Sequence, residues 1–344
     1  MTSLGSGMPT HKAIQVASVG AALTLTDVET ASPPPGHVRI EVAACGVCGT
    51  DQGILNGGFP GTTWPVTPGH ELAGTIAEVG DSVADFIRGE RVVVGWFGGN
   101  CNVCVPCRKG KFMQCVRGQV PSLAYPGGYA ESVVAPATAL ARIPDGLSFA
   151  DAGPMGCAGV TTYNALRRTN AVAGDLVAVL GVGGLGHLGV QWAAAMGFET
   201  VAIARGAGKA EDAKQLGAHH YIDSTAEDVA GALQELGGAT VVLATAANSA
   251  AIGQTVGGIG PEGELVVVGV TADPLPISPA DLILAGRRVT GHPSGTSRDV
   301  EETMQFAVQS GVRAWIEERP LAQAAEAYAA LEHGRARYRG VLTV

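Results

Sequence analysis

Positive charge is scarce in this sequence. Its 344 residues carry 22 Lys plus Arg against 31 Asp plus Glu, a formal net charge of -9, which argues against generic binding to phosphate backbones or anionic membrane surfaces. A nucleic-acid role would need a local exception. An apolar leader is missing as well: the first ten residues are polar and rich in Gly and Ser, so no secretory signal is expected and the cytoplasm is the expected compartment. Internal repeats and long low-complexity tracts are absent, residues 32–36 (SPPPG) reading only as a stiff connector. A hydrophobic content of 46% excludes disorder. The length suggests two domains. Glycine is in excess, at 50 residues, about twice the average usage. Without a collagen period, this excess implies many turns and close backbone approaches.

A run without charged side chains, residues 176–198, is long enough to cross a bilayer. Six glycines, His187 and Gln191 lie inside it, so a Gly-rich turn between an apolar strand and an Ala-rich helix explains it better. From residue 12 to about 154 the chain shows short apolar runs bounded by Gly and Pro, such as 37–44, 73–79 and 91–95. This predicts a β-rich domain over 1–154. Over 155–290 strands at 176–180, 200–204, 220–223, 241–244 and 264–268 alternate with Ala-rich amphipathic stretches, which predicts an α/β, doubly wound parallel sheet. Residues 291–344 hold two helical stretches (298–309 and 321–334) and a terminal strand (338–344) outside that alternation. They are expected to return to the first domain.

Gly181, Gly183 and Gly186, with Gly184 and Leu185 between them, form GxGxxG directly after the strand LVAVL and directly before a helix. In that setting the first glycine permits a tight turn, the second lets backbone approach a pyrophosphate, and the third lets helix pack on strand. A dinucleotide is therefore the expected cofactor. At the end of the next strand, where an Asp or Glu would hold the adenosine ribose, the chain has Ala204 followed by Arg205, with Lys209 nearby. Loss of the carboxylate and gain of cations favour a 2′-phosphate, hence NADP(H), with NAD(H) open if Arg205 is only a solvated loop residue.

The seven cysteines are at 45, 48, 101, 104, 107, 115 and 157. Such clustering points to metal or catalysis before disulfides. Cys101, Cys104, Cys107 and Cys115 read CxxCxxCx₇C on a Gly-rich loop (96–117), a spacing that can close a tetrahedron around a structural zinc. A second set is dispersed: Cys48, His70, Glu71 and Cys157. Taken singly, His70 could be a satisfied core histidine and Cys157 a small buried hydrophobe.

The motifs CGVCGTD, GHELAGTIAEVG, the four-cysteine loop, GPMGCAGVTTYNAL, GVGGLGHLGVQ and RYRGVLTV occur in one order from residue 12 to 344. In this the chain resembles the zinc-dependent alcohol dehydrogenases of the medium-chain dehydrogenase/reductase family, especially the shorter microbial branch. The resemblance implies a GroES-like catalytic domain plus a Rossmann domain, two zinc ions per subunit, and Cys48, His70 and Cys157 as catalytic ligands. It implies Glu71 as an alternate ligand and Asp51 as a partner behind the ligands. It further implies Thr50 as the hydroxyl that bonds substrate oxygen and passes its proton, unless Thr50 is only a turn hydroxyl. Arg339 would reach the cofactor pyrophosphate, or else be a solvated terminal charge. Trp64 and Trp96 would line the substrate cleft, although a Trp is as often core as wall. Two departures stand out. Gly49 and Gly53 occupy positions where many relatives keep a cationic contact and the outer relay histidine, so that the outward proton path is left to water or another side chain.

The expectation is thus an NAD(P)-dependent alcohol dehydrogenase or aldehyde reductase acting on a primary alcohol or aldehyde, a homodimer or homotetramer without nucleic-acid or membrane partners. A zinc-free quinone or enone reductase of the same superfamily is the nearest alternative. A zinc-ribbon nucleic-acid module, using Arg108, Lys109, Lys111 and Arg117 of the cysteine loop, is the alternative from another class.

Overall fold

The computed structural model describes residues 8–344. They divide into two compact units. The first gathers the described chain through Cys157 with Gly295–Gln305 and Ile316–Val344, and the second comprises Ala158–Ser294 and Phe306–Trp315.

In the first unit the β-branched run His37–Val47 is the central strand of a seven-stranded sheet. Leu72–Val79 and Arg339–Thr343 flank it antiparallel, placing Cys45 opposite both Leu72 and Leu342. Ser132–Pro136 pairs with its beginning, while Arg91–Val94 and Leu140–Arg142 extend the sheet beyond Leu72–Val79. Alternation along the central strand buries Val38, Ile40 and Val42 with Leu72, Ile76, Val92 and Val94 in one core, each such side chain contributing about 1.5–3 kcal/mol. The consequence for function is positional. Residues 45–48, 70–72 and 339–342, far apart in sequence, meet at one end of this sheet.

The second unit carries six parallel strands: β1 (Leu176–Leu180), β2 (Glu199–Ala204), β3 (His220–Asp223), β4 (Ala239–Ala244), β5 (Ile259–Val267) and β6 (Arg288–Gly291). Their order is β3-β2-β1-β4-β5-β6, the doubly wound arrangement in which the progression of strand order reverses beside β1. All of β1 is buried, as expected of a strand covered on both faces. The apolar run 176–198 resolves into β1, the glycine turn and the helix Gly186–Ala195. Among the described residues no helix is long and apolar enough to cross a membrane.

The C-terminal stretch does not go to the first unit as a block, because Phe306–Trp315 joins the second. Phe306 stacks on Tyr163 and Trp192, Gln191 bonds the Arg313 backbone, and His187 Nε2 accepts the Trp315 N–H at 3.2 Å. These side chains hold the segment where periodicity in sequence could not show it.

Candidate active site

Cys48 is the N-cap of the short helix Gly49–Leu55, and Asp51 in its first turn accepts the Cys48 N–H at 3.0 Å, an N-terminal capping arrangement. The same carboxylate serves two further groups. Its Oδ1 faces His70 Nδ1 at 2.8 Å, and its Oδ2 accepts the Tyr129 O–H at 3.1 Å. Asp51, His70 and Tyr129 are completely buried. Because an aspartate oxygen only accepts, Nδ1 of His70 carries a proton, and the buried Nε2 has no protein partner, so that its lone pair is open to a cation whenever that nitrogen is unprotonated.

That lone pair faces donors of the right kind. Ligand atoms of Cys48, His70, Glu71 and Cys157 all lie within 4.8 Å of one another. Cys157 is delivered by the turn Gly153–Gly156, whose last residue crosses Gly95 so closely that a Cβ on Gly156 would lie 2.9 Å from the Gly95 Cα. A hydrogen bond with Cys157, reinforced by His70 against burial, holds the Cys48 thiol well below its ordinary range, while the same bond and burial raise Cys157. Burial alone would discharge His70, but Asp51 and Cys48 outweigh it and hold its pKa well above the ordinary value. Surroundings that draw a proton to Nε2 also draw a metal cation. Two thiols, one imidazole and a carboxylate suit zinc, with an exchangeable position left when three of them ligate.

Glu71 is completely buried and ion-paired with Arg339. Burial pushes its carboxyl up to about 7 against the pull of that guanidinium, and its Oε1 has no protein partner, as an alternate ligand requires. Arg339 is not set out toward solvent. It is 2% exposed with one guanidinium nitrogen on Glu71, so its first role in the fold is to neutralise the carboxylate behind the ligands. Thr50 Oγ1 lies 3.8 Å from Cys48 Sγ. A Cβ on Gly49 would meet nothing within 4 Å, so that side of the helix is open.

Of the two tryptophans, Trp96 stands edge-on to His70 with ring centroids 5.4 Å apart and also faces Phe59. Trp64 packs instead with Phe59 on Val16, Ile54, Leu55 and Val66. Sequence reasoning missed Phe59 and Tyr129. The only cue for Tyr129 was the Gly127–Gly128 pair before it, which signals a close approach without saying to what.

The four loop cysteines form the other ligand cluster among the described residues. Cys115 Sγ lies 3.5 Å from Cys101 and 3.8 Å from Cys104, near the edge of about 3.8 Å expected for thiolates around one zinc. Backbone N–H groups of Cys101 and Arg117 point at Cys115 Sγ, and the Asn100 amide points at Cys107. Backbone N–H groups lower Cys101 to about 6.

In the second unit the glycine turn has three different reasons for lacking side chains. Gly181 has φ +96 and faces Thr245 Oγ1. A Cβ on Gly183 would meet nothing, whereas one on Gly186 would fall on the Gly181 carbonyl oxygen. Gly184 and Leu185 lead into the helix, Leu185 being its N-cap. At the end of β2, Ala204 is buried and Arg205 exposed. Lys209 does not stand beside Arg205 as a free cation, since its Nζ donates to the Val182 carbonyl inside the glycine turn. The carboxylate at the end of β3, Asp223, takes the Gly206 N–H at 2.7 Å and the Thr225 hydroxyl.

Fold and site together define a zinc-type, nicotinamide-linked oxidoreductase. The family model for the alcohol dehydrogenase GroES-like domain matches residues 34–145, and that for the zinc-binding dehydrogenase matches 184–309. The chain is 38% identical over 339 residues to alcohol dehydrogenase patD of Penicillium expansum, covering 97% of this chain and 98% of that protein. It is also 38% identical over 335 residues to an alcohol dehydrogenase of Geobacillus stearothermophilus, covering 97% and 99%. Among solved structures, the CAD from Helicobacter pylori complexed with NADP(H) superposes with a TM-score of 0.87 at 26% identity, covering 97% and 98%. The acetophenone reductase from Geotrichum candidum in complex with NAD gives 0.85 at 28%, covering 99% of each. The chain belongs to the zinc-dependent alcohol dehydrogenases of the medium-chain dehydrogenase/reductase family.

Proposed function

We propose that this protein interconverts primary alcohols and aldehydes, with Cys48, His70 and Cys157 holding a catalytic zinc, Glu71 as alternate ligand, and Cys101, Cys104, Cys107 and Cys115 holding a structural one. The observation that carries this is the unpartnered, buried His70 Nε2 turned toward two thiols and a carboxylate. When bound, zinc supplies Lewis acidity at the substrate oxygen and the nicotinamide supplies or accepts the hydride.

The chain's own residues do the rest. Asp51 fixes the imidazole tautomer, and Cys48, already acidified, gives up its proton readily on ligation. Thr50, beside Cys48 Sγ, holds the substrate hydroxyl and hands on its proton. Beyond it Gly49 and Gly53 carry no relay side chain, so the outward proton path runs through water or another side chain. Trp96, edge-on to His70, narrows the approach and favours unbranched or aromatic aldehydes over bulky ketones.

The reading extends to NADP(H) as the preferred cofactor, with pyrophosphate on Gly181–Gly186 and Lys209 at the glycine turn, while Arg339 is engaged by Glu71. Ala204 and exposed Arg205 support it, and Asp223 is engaged by Gly206 and Thr225. It extends also to a homodimer or homotetramer in the cytoplasm. Strand β6 is an edge whose four residues are all exposed, and the seven cysteines are unpaired thiols.

Purified protein with its zinc quantified, assayed for NADPH and NADH oxidation over aliphatic and aromatic aldehydes, tests these points. Two zinc ions per subunit, faster NADPH turnover and loss of activity in Cys48→Ala are expected. Retained activity in Cys48→Ala points to a zinc-free reductase, and faster NADH turnover overturns the cofactor preference.

A further inference from the structure

We infer that Tyr129 is a positioning residue of the catalytic metal centre, acting on His70 through Asp51. The inference rests on the zinc reading above and names a residue that touches none of the ligands. Asp51 has two oxygens with different duties. Oδ1 orients His70, and Oδ2 accepts both the Cys48 N–H and the Tyr129 phenol. The backbone donor belongs to Cys48, itself one of the ligand residues, so the phenol is the donor on Oδ2 anchored outside the ligand set.

That anchoring is built from the backbone upward. The segment Gly127–Tyr129 is laced onto residues 67–69: Gly127 N–H to Thr67, Gly128 N–H to Gly69 and Tyr129 N–H to Pro68, at 2.8–2.9 Å. Gly69, immediately before His70, has φ +103, and a Cβ there would collide with the Tyr129 ring and come within 2.8 Å of Cys45 Sγ. The ring therefore lies flush against the turn that delivers His70, completely buried. With both its ring and its backbone tied to the His70 segment, the phenol O–H prevents the carboxylate from rotating off Nδ1. Buried carboxylates that orient metal-bound imidazoles typically change metal affinity by ten- to a hundredfold when disturbed.

The test is zinc release to a chromogenic chelator from the purified holoenzyme, a readout that requires no turnover. Two phases are expected in the wild type, the catalytic one being the phase absent from Cys48→Ala. Tyr129→Phe, which keeps the ring and removes only the O–H, is expected to accelerate that phase about tenfold and to leave release from the four-cysteine loop unchanged. Asp51→Asn accelerates the same phase, and the Tyr129→Phe, Asp51→Asn double variant is no faster than Asp51→Asn alone, as required if Tyr129 acts through Asp51. Unchanged release in Tyr129→Phe, or equal acceleration of both phases alongside a lowered melting temperature, overturns the inference while leaving the zinc reading intact. A wild type that holds no zinc at Cys48 overturns both.

Discussion

At the scale of single residues, the site depends on groups whose buried charge is met by a specific partner. Glu71 and Arg339 show this most plainly, since both are almost wholly buried and paired with each other. Removing one partner of such a pair leaves an uncompensated charge, at a cost of about 3–5 kcal/mol. Both residues lie in motifs of the family resemblance, yet their mutual contact spans 268 positions and no local pattern encodes it. Asp223 offers a simpler case at the surface. The Thr225 hydroxyl and amide, and then the Gly206 N–H, hold its carboxyl below the ordinary carboxylate range. A depressed native pKa stabilises the fold above the unfolded value, near 4, and that contribution is lost as pH falls through the native value. Asp223→Ala should therefore melt below the wild type at pH 7, and the gap should narrow as the pH falls from about 4 toward the depressed native value. Melting curves across that range check it, and a gap independent of pH would refute it.

At the scale of elements, the turn between β1 and the helix Gly186–Ala195 separates what glycine does for the fold from what it does for a ligand. A methyl on Gly186 collides with the Gly181 carbonyl, whereas a methyl on Gly183 meets only open space. Gly186→Ala should consequently destabilise the second unit by about 1–3 kcal/mol through forced backbone shifts. Gly183→Ala should melt within about 0.5 kcal/mol of the wild type and bind NADPH at least tenfold more weakly by fluorescence titration. Equal effects of the two substitutions on stability would contradict this division. The strand–turn–helix was readable from sequence because hydrophobic period and glycine spacing are local. The helix Gly49–Leu55 was not, because at seven residues it is too short to show a period, and its capping by Asp51 on Cys48 and its burial of Ile54 and Leu55 are set by the fold. Tyr129 is illegible for a related reason: its place beside Asp51 is set by backbone pairing with residues 67–69, a non-local contact.

At the scale of the whole molecule, the edge strand β6 and its neighbourhood present apolar surface to solvent: Val270 is 88% exposed and Leu284 86%. Unpaired edges invite pairing with another chain, and a twofold-related copy satisfies that demand on both subunits at once. We expect light scattering to report a dimer or tetramer for the wild type and a smaller assembly for a Val270→Lys, Leu284→Lys double variant. A monomeric wild type would remove the proposal. The two-unit plan, the parallel strand–helix alternation, the four-cysteine spacing and the glycine turn were all readable in the sequence, since each is written in short-range period or spacing. The three-dimensional fold was needed to show that Phe306–Trp315 joins the second unit, that Arg339 pairs with Glu71, that Lys209 sits on the glycine turn, and that the Tyr129 phenol bonds Asp51. Those outcomes depend on which distant surfaces come together once apolar area is buried, and on the strict requirement that every charge enclosed with it find a partner.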